Sequence, residues 1–365
     1  MEITCTNCGH SYPRNGLPYI CEYCGGLYDF PNPITLDPMQ VDRSMPGIWR
    51  YSHTFGLSRD IEPVTLGEGN TPLVWTHLFG RNIAFKCEYQ NPSGSFKDRG
   101  SAVIVTWLKS RNIHEAVEDS SGNAGASFSA YAARAGIKAR IYIPESASGP
   151  KRRQIEAYGA EPIPVSGSRK NASEIVKVAA KEGSTYASHA YLPFNLPGYA
   201  TISYEIYEQL GNNMPGVVIL PVGQGGLLLG VWRGLEALRI AYSKNHKSIL
   251  VGVQARACAP IWAQFKKNKN GEEWMVNNQT IAEGVRVADP LRSDVVLRAV
   301  EASQGIICAV EENEIIPCRD ALARSGFYVE PTSAIVLSAL EKNIQYLPDP
   351  IVVVLSGSGL KFENK

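Results

Sequence analysis

No stretch of this sequence approaches the ~20 consecutive apolar residues that a membrane span needs. The N-terminus, Met1-Glu2-Ile3-Thr4-Cys5, lacks both the basic start and the apolar core of a signal peptide. The expectation is a soluble, cytoplasmic protein without a membrane partner. Excess charge is missing too: Lys plus Arg number 36 against 35 Asp plus Glu, a formal charge of +1. That balance disfavours nucleic acid as a partner, since phosphate backbones select basic faces. There is no internal repeat and no low-complexity tract. No Ser-His-Asp or Cys-His arrangement is arguable, and the six histidines are too scattered for a second metal site.

What is present suits a folded enzyme. The chain has 365 residues, 44% hydrophobic and 19% charged, enough for two ordinary domains with sizeable cores. Eight cysteines are unevenly placed: four fall in the first 24 residues, while Cys87, Cys258, Cys308 and Cys318 are scattered and read as small buried residues. Trp49, Trp107, Trp232 and Trp262 read as core. The first group forms Cys5-x-x-Cys8-Gly9 and Cys21-x-x-Cys24-Gly25-Gly26. Two such pairs joined by a short hairpin make a closed tetrahedral thiolate cage, the pattern of a structural zinc ribbon over residues 1–30. A rubredoxin-type iron centre and two disulfides are the alternatives. Pro31 to Pro46 holds four prolines and reads as a linker.

From about Gly47 the pattern becomes strand, loop, helix. Strands are expected at Ile83–Cys87, Ala139–Ile143, Gly216–Leu220 and Ile351–Leu355, and helices at Ser101–Arg111, Ala124–Ala135 and Ser173–Lys181. Continuous apolar runs such as Ile351-Val352-Val353-Val354-Leu355 belong to strands covered on both faces, so the fold is α/β with mainly parallel sheets. Lys266 to Glu273 is a polar run with the character of a solvated loop.

Four small-residue loops adjoin these elements, where ligands bind in open α/β sheets. In Asn91-Pro92-Ser93-Gly94-Ser95-Phe96-Lys97-Asp98-Arg99-Gly100 a lysine stands at a helix start, whose dipole lowers the amine pKa and favours a nucleophile. Ser120-Ser121-Gly122-Asn123-Ala124-Gly125 opens a helix, either as an anion site or simply as its cap. Gly223-Gln224-Gly225-Gly226 follows a strand. It is neither a P-loop nor a dinucleotide fingerprint, since no Gly-Lys-Ser/Thr follows and no acid stands about 20 residues on; a single phosphate fits. Leu355-Ser356-Gly357-Ser358-Gly359-Leu360-Lys361 ends the last strand and presents the Ser356 hydroxyl.

Together with Gly67-Glu68-Gly69-Asn70-Thr71-Pro72-Leu73, these loops resemble the tryptophan-synthase-β-like (fold type II) family of pyridoxal phosphate enzymes, and within it the threonine synthases, some of which carry a similar cysteine ribbon. The resemblance implies that Lys97 holds the cofactor covalently and later moves protons, and that Asn123 bonds its ring hydroxyl. It implies that Gly223, Gln224, Gly225, Gly226 and Leu227 cradle its phosphate through backbone amides. Ser356 would face the pyridine nitrogen, and Ser121 and Ser188 would meet an amino-acid substrate. A hydroxyl at Ser356 leaves that nitrogen largely neutral, which suits elimination and replacement rather than transamination. The implied organisation is a ribbon at 1–30, a linker at 31–46, a large cofactor domain from 47–97 and 201–365, and a small mobile domain at 98–200, assembled as a homodimer.

The match departs over Ala187 to Thr201. Ser188, Gly198 and Thr201 agree, but the asparagine, arginine, glutamate and lysine that help threonine synthases hold a phosphorylated substrate are absent. Lys151, Arg152, Arg153 or His189 would have to substitute. Three functions follow. The first is conversion of O-phosphohomoserine and water to threonine and phosphate, by γ-elimination and β-addition. The second is β-elimination or β-replacement on another amino acid, as by a serine/threonine dehydratase or an O-phosphoserine-using synthase. The third is a docking scaffold built around the ribbon. The third is disfavoured by the near-neutral charge and by a ribbon whose only basic side chains are Arg14 and His10.

Overall fold

The computed structural model describes residues 2–147, 149–245, 247–266 and 279–363. The polar run expected to be a loop at 266–273 lies, past Lys266, outside the described residues. Two short antiparallel strands, β1 (Thr4–Cys5) and β2 (Tyr28–Asp29), close the N-terminal ribbon. Each cysteine pair is followed by a left-handed glycine, Gly9 at φ 73° and Gly25 at φ 70°, a backbone that other residues rarely adopt. Segment 31–46 contains one 3-10 turn at Pro38–Gln40 and buries Ile34 and Leu36 in the core, so it is packed rather than free.

The body begins with the antiparallel pair β3 (Leu73–Leu78) and β4 (Arg81–Lys86). Helix α1 (Lys97–Ser110) starts four residues before the Ser101 that apolar periodicity suggests. Its first turn includes the polar Asp98 and Arg99, both buried, whose partners come from other elements and leave no periodic mark. A three-stranded parallel sheet follows: β5 (Glu115–Glu118), α2 (Asn123–Ala135), β6 (Lys138–Pro144), α3 (Pro150–Ala157), β7 (Glu161–Val165) and α4 (Arg169–Lys181), with strand order β5-β6-β7. Gly136, at φ 69°, stops α2, and a Ser168–Asn171 capping box starts α4.

Helix α5 (Asn195–Gln209) leads back to the larger sheet. There β8 (Val217–Pro221), α6 (Gly226–Ala241), β9 (Ile249–Ala255), α7 (Pro260–Phe265), α8 (Ser293–Ala302), β10 (Ile306–Val310), α9 (Glu312–Arg324), α10 (Pro331–Asn343) and β11 (Ile351–Val354) complete the order β10-β9-β8-β11-β4-β3. Every pairing in this sheet is parallel except β3–β4. Helices cover both faces. Phe85, Ile219, Val253 and Val353 pack in the core shared with α9 and α10, while Ala84, Val218, Leu250 and Val352 pack in the core shared with α5, α6 and α8. This is why β8 and β11 read as unbroken apolar runs, with each buried Val or Ile contributing about 1.5–3 kcal/mol. Cys87, Cys258 and Cys318 are buried as expected; Cys308 is only half-buried, because β10 is an edge strand. Among the described residues no helix is long and apolar enough to cross a membrane.

Candidate active site

The four small-residue loops of the sequence leave the C-terminal ends of β4, β5, β8 and β11, the ends where ligands bind in parallel α/β sheets. The first and last are joined directly. Ser95 and Gly357 form an antiparallel bridge, the Phe96 amide donates to the Ser356 carbonyl at 3.0 Å, and the Ser358 amide donates to the Gly94 carbonyl at 3.0 Å. Lys97 and Ser356 are thereby brought together. Gly94, at φ 88°, lets the loop turn where Lys361 and Ser358 press against it.

Lys97 is the first residue of α1, with its amine 4.8 Å from the Phe96 ring centroid and 5.9 Å from that of Tyr199. Burial lowers its pKa to about 8; the charge of Glu118 opposes the fall and that of Arg169 adds to it. Desolvation therefore leads, where the sequence pointed to the helix dipole. Tyr199 ties this helix to the glycine loop, since a side chain at Gly100 would overlap its ring and one at Gly226 would touch it at 3.5 Å.

Beneath Lys97 lies a buried charge network. The Arg99 guanidinium donates to Glu88 at 2.7 Å and to Glu205 at 2.7 and 2.8 Å, and Lys86 donates to Glu205 at 2.7 Å. The Gly67–Leu73 motif belongs to this frame: Thr71 donates to Glu88, the Asn70 amide donates to Glu205, and Glu68 accepts from Trp49 and Tyr131. Asp98 accepts from the Ser93 amide and from the Ser93 and Ser127 hydroxyls, and burial raises its pKa to about 6.

The second loop starts α2 at Asn123, and no side chain caps that helix, so the reading of Ser and Asn as simple caps is not what the structure has. The Asn123 amide nitrogen donates to Glu330 at 2.7 Å, while its buried carbonyl oxygen has no partner among the described residues. Glu330 also pairs with Lys151 at 2.9 Å. Gly225, at φ 90°, is the left-handed N-cap of α6. A Cβ at Gly223 would lie 2.7 Å from the Gly284 carbonyl, and one at Gly225 would lie 2.3 Å from Val296. Only glycine fits either place. The Gln224 side chain accepts from the Leu291 amide at 3.1 Å, so it braces the loop from behind, and Leu227 is buried in the core. Ser356 is buried, 2.9 Å from the Ser333 hydroxyl.

Ser121 is part-buried on the loop before α2. Ser188 is buried, and its hydroxyl accepts from the Ala190 and Tyr191 amides at 3.3 and 3.4 Å, shaping its own turn. Each candidate phosphate-binding cation already meets a carboxylate: Lys151 meets Glu330, Arg152 meets Glu156, Arg153 meets Glu363 and His189 meets Glu118. Arg169, at the head of α4, has no ion pair among the described residues, yet its charge acts on Lys97, Glu118 and His189. Sequence reasoning missed Arg169, Glu118 and Glu330. Glu118 did leave a signal, a carboxylate ending an apolar strand immediately before the Gly-Asn loop.

The N-terminal segment rests on the stretch that carries Ser188. Tyr12 packs on Phe194, and Tyr19 on Tyr186 and Tyr191, with centroids 5.1 Å apart in each case. Asp29 is gripped by Arg233 at 2.7 Å and Arg292 at 2.9 Å. The sulfurs of Cys5, Cys8, Cys21 and Cys24 all lie within 4.8 Å of one another, with close pairs at 3.4 to 3.6 Å. A disulfide needs about 2.05 Å. A side chain at Gly26 would strike the Cys5 sulfur at 2.8 Å.

A family model described as "Pyridoxal-phosphate dependent enzyme" matches residues 64–357. The chain is 34% identical to the threonine synthase of Methanocaldococcus jannaschii, over 99% of this chain and 93% of that one. It is 33% identical to the threonine synthase of Bacillus sp. (strain ULM1), over 86% and 89%. Among solved structures it is similar to maize serine racemase, with a TM-score of 0.69, 23% identity and coverage of 80% and 88%. A threonine deaminase from T.th. gives a TM-score of 0.67, 27% identity and coverage of 80% and 94%.

Proposed function

Since this chain belongs to the family of pyridoxal-phosphate dependent enzymes, as a threonine-synthase-like lyase, we propose that it converts O-phosphohomoserine and water to threonine and phosphate. The observation that carries the reading is the near-full-length similarity to threonine synthases, supported by Lys97 at the head of α1 and by a loop whose Gly223 and Gly225 tolerate no side chain.

The residues present fit pyridoxal phosphate. Asn123 offers a buried amide with an end unpartnered among the described residues, Gly223 and Gly225 tolerate no side chain, and the amides opening α6 suit a phosphate. Lys97 would hold the cofactor, Asn123 would meet its ring hydroxyl, and Gly223, Gln224, Gly225, Gly226 and Leu227 would hold its phosphate with Ser356 at the ring nitrogen. When bound, the cofactor supplies an electron sink for bonds at the substrate α carbon. Lys97 then takes the α proton and returns a proton further along the chain, as suits an amine with a pKa of about 8. Ser121 and the uncapped amides of α2 receive the substrate carboxylate.

The phosphate of the substrate is assigned to Arg169, which stands in for the cations missing from 187–201. A charge-assisted bond of this kind contributes about 1.5–3 kcal/mol, or roughly 10- to 150-fold in affinity. Arg169→Ala should therefore raise KM for O-phosphohomoserine within that range and change kcat less; an unchanged KM would remove Arg169 from the site. The β-elimination or β-replacement reading rests on the pairing of all four expected cations with carboxylates. Product analysis on serine, threonine, O-phosphoserine and O-phosphohomoserine separates the two, since the leading reading gives products with the last alone.

The ribbon is proposed to hold structural zinc. A tetrahedron with zinc–sulfur bonds of about 2.3 Å has edges near 3.8 Å, close to the sulfur spacing here. Cys8→Ser should lower bound zinc from one per chain and lower the melting temperature, because the aromatic contacts on Tyr186, Tyr191 and Phe194 loosen. Metal analysis that finds iron, or no metal, in the parent protein would overturn the zinc assignment. A homodimer with a mobile small domain at 98–200, working in the cytoplasm, completes the proposal.

A further inference from the structure

We infer that Asp29, at the end of β2 in the N-terminal segment, is a positioning residue for the phosphate of the cofactor. It acts through Arg233 and Arg292, which join it to the two helices that shape the 223–226 loop. The inference rests on the proposed seating of that phosphate in the loop, and it gives the N-terminal segment a part in the site.

The loop takes its shape from α6 and α8. Helix α6 begins at Gly226, and its Leu229 amide donates to the Gly225 carbonyl at 2.9 Å. Helix α8 backs the loop from the other side. The Leu291 amide, just before α8, donates to the Gln224 side chain at 3.1 Å. Val296 fills the space beside Gly225, where a Cβ would lie 2.3 Å from it. The two helices also pack on each other. A phosphate held by backbone amides depends on where those amides point, so a shift of either helix alters the seat.

Asp29 ties both helices to one carboxylate. Arg233 stands seven positions beyond Gly226, about 10 Å along α6. Its guanidinium makes a two-pronged fork on Asp29, Nη1 to Oδ1 at 2.7 Å and Nη2 to Oδ2 at 2.9 Å. Such a fork fixes direction as well as distance. Arg292, the residue before α8, donates to Asp29 Oδ2 at 2.9 Å. Its carbonyl accepts from the Val296 amide at 3.0 Å, so Arg292 and the side chain against Gly225 belong to one helical turn. The other Arg292 nitrogen donates to the carbonyls of Tyr28 at 3.0 Å and Tyr191 at 2.9 Å. The Phe30 amide donates to Asp29 Oδ1 at 2.8 Å. The side chains of Asp29 and Arg292 are 8% and 5% exposed, so water does not loosen the joint. With both oxygens engaged, Asp29 acts by holding its partners in place. Other anchors of the N-terminal segment lie elsewhere. Tyr12 and Tyr19 meet rings between 186 and 194, and Arg111, at the end of α1, donates to the carbonyls of Pro13 and Gly16. None of these contacts is made to α6 or α8.

The test dialyses the full-length holoenzyme against graded pyridoxal phosphate, well below the melting temperature of each variant, and reads the dissociation constant from the visible band. Asp29→Asn should raise that constant by about 5- to 150-fold, the usual range for coupling between linked sites. Arg233→Lys and Arg292→Lys keep the charge and lose the fork, so each should raise it less. Asp29→Asn combined with Arg292→Lys should do no more than Asp29→Asn alone, because one joint is broken in both. With excess pyridoxal phosphate, kcat should return to the parent value. Arg111→Met is the control: it loosens the N-terminal segment at another anchor and should lower the melting temperature with the dissociation constant unchanged. A parent-like constant in Asp29→Asn overturns the inference, whatever its melting temperature. An equal rise in Arg111→Met also overturns it, since any loosening would then suffice. Where Asp29→Asn does not fold, the two lysine variants carry the comparison, and parent-like constants in both overturn the inference. Gly225→Ala tests the seat itself. A parent-like constant there overturns the reading of the loop, and the inference with it. A raised constant there beside a parent-like Asp29→Asn removes Asp29 alone.

Discussion

Lys97→Ala is expected to abolish the visible absorbance of bound pyridoxal phosphate and to cut turnover by about 10³-fold or more. Two separate roles are lost in this variant. The amine is the only group in the joined 93–97 and 356–358 loops that can hold the cofactor covalently, and it is also the proposed proton carrier at the substrate. Removing a positioned proton carrier alone costs about 10² to 10⁴-fold. The fold should survive, because no hydrogen bond or ion pair is formed by Lys97 among the described residues, and its amine lies 4.8 and 5.9 Å from the ring centroids of Phe96 and Tyr199. The informative measurement pairs a spectrum with a thermal melt: loss of the band with an unchanged melt of the cofactor-free protein is the expected result. A variant that keeps the band and the activity would mean that another lysine serves, and Lys361, also lowered by burial to about 8, would be examined next.

The largest stability effect is expected two residues away. Arg99→Met should destabilise the protein by about 3–5 kcal/mol, because it leaves Glu88 and Glu205 buried with one ammonium between them. The side chains of Arg99, Glu88 and Glu205 are each 1% exposed or less, so solvent cannot rescue the stranded charges. Burial pushes Glu205 up, but the charges of Arg99 and Lys86 outweigh it and hold its carboxyl well below the usual carboxylate range. A lowered carboxyl pKa stabilises the native state above the unfolded value of about 4.3, and that contribution fades as pH falls through the native pKa. The deficit of Arg99→Met should thus be full at pH 7 and shrink in acid. Urea unfolding at pH 7 and pH 4 checks both size and sign; a deficit below about 1 kcal/mol at pH 7 would mean that the network relaxes into water. Substitution by an apolar residue at Arg99 alone differs from replacing the whole network, which can be neutral.

The division between what the sequence made legible and what it did not follows the range of the interactions. The strands β8 and β11 were readable because a parallel strand covered on both faces must be apolar throughout. The clustering of Cys5, Cys8, Cys21 and Cys24 was readable because two close pairs, each followed by a turn glycine, let a short hairpin bring their sulfurs together. The Lys97, Asn123, glycine and Ser356 loops were readable because each lies at a strand end with its own local signature. Asp98 and Arg99 were not, and the start of α1 was misplaced with them: their partners Glu88, Ser127 and Glu205 come from three other elements, the farthest 106 positions along the chain. Arg169 and Glu118 escaped for a similar reason. A charged residue at a helix head or strand end reads as solvated until the fold turns it toward another charge. The segment 31–46 misled in the opposite direction, since its prolines suggested a linker while Ile34 and Leu36 anchor it in the core.

The central claim is that this site carries out threonine-synthase chemistry. The most direct measurement is to give the purified holoenzyme O-phosphohomoserine and follow phosphate and threonine together over time. The account predicts both, in equal amounts and at equal rates, with none from Lys97→Ala. Phosphate without threonine, or no reaction with O-phosphohomoserine alongside keto acid from serine or threonine, would contradict it.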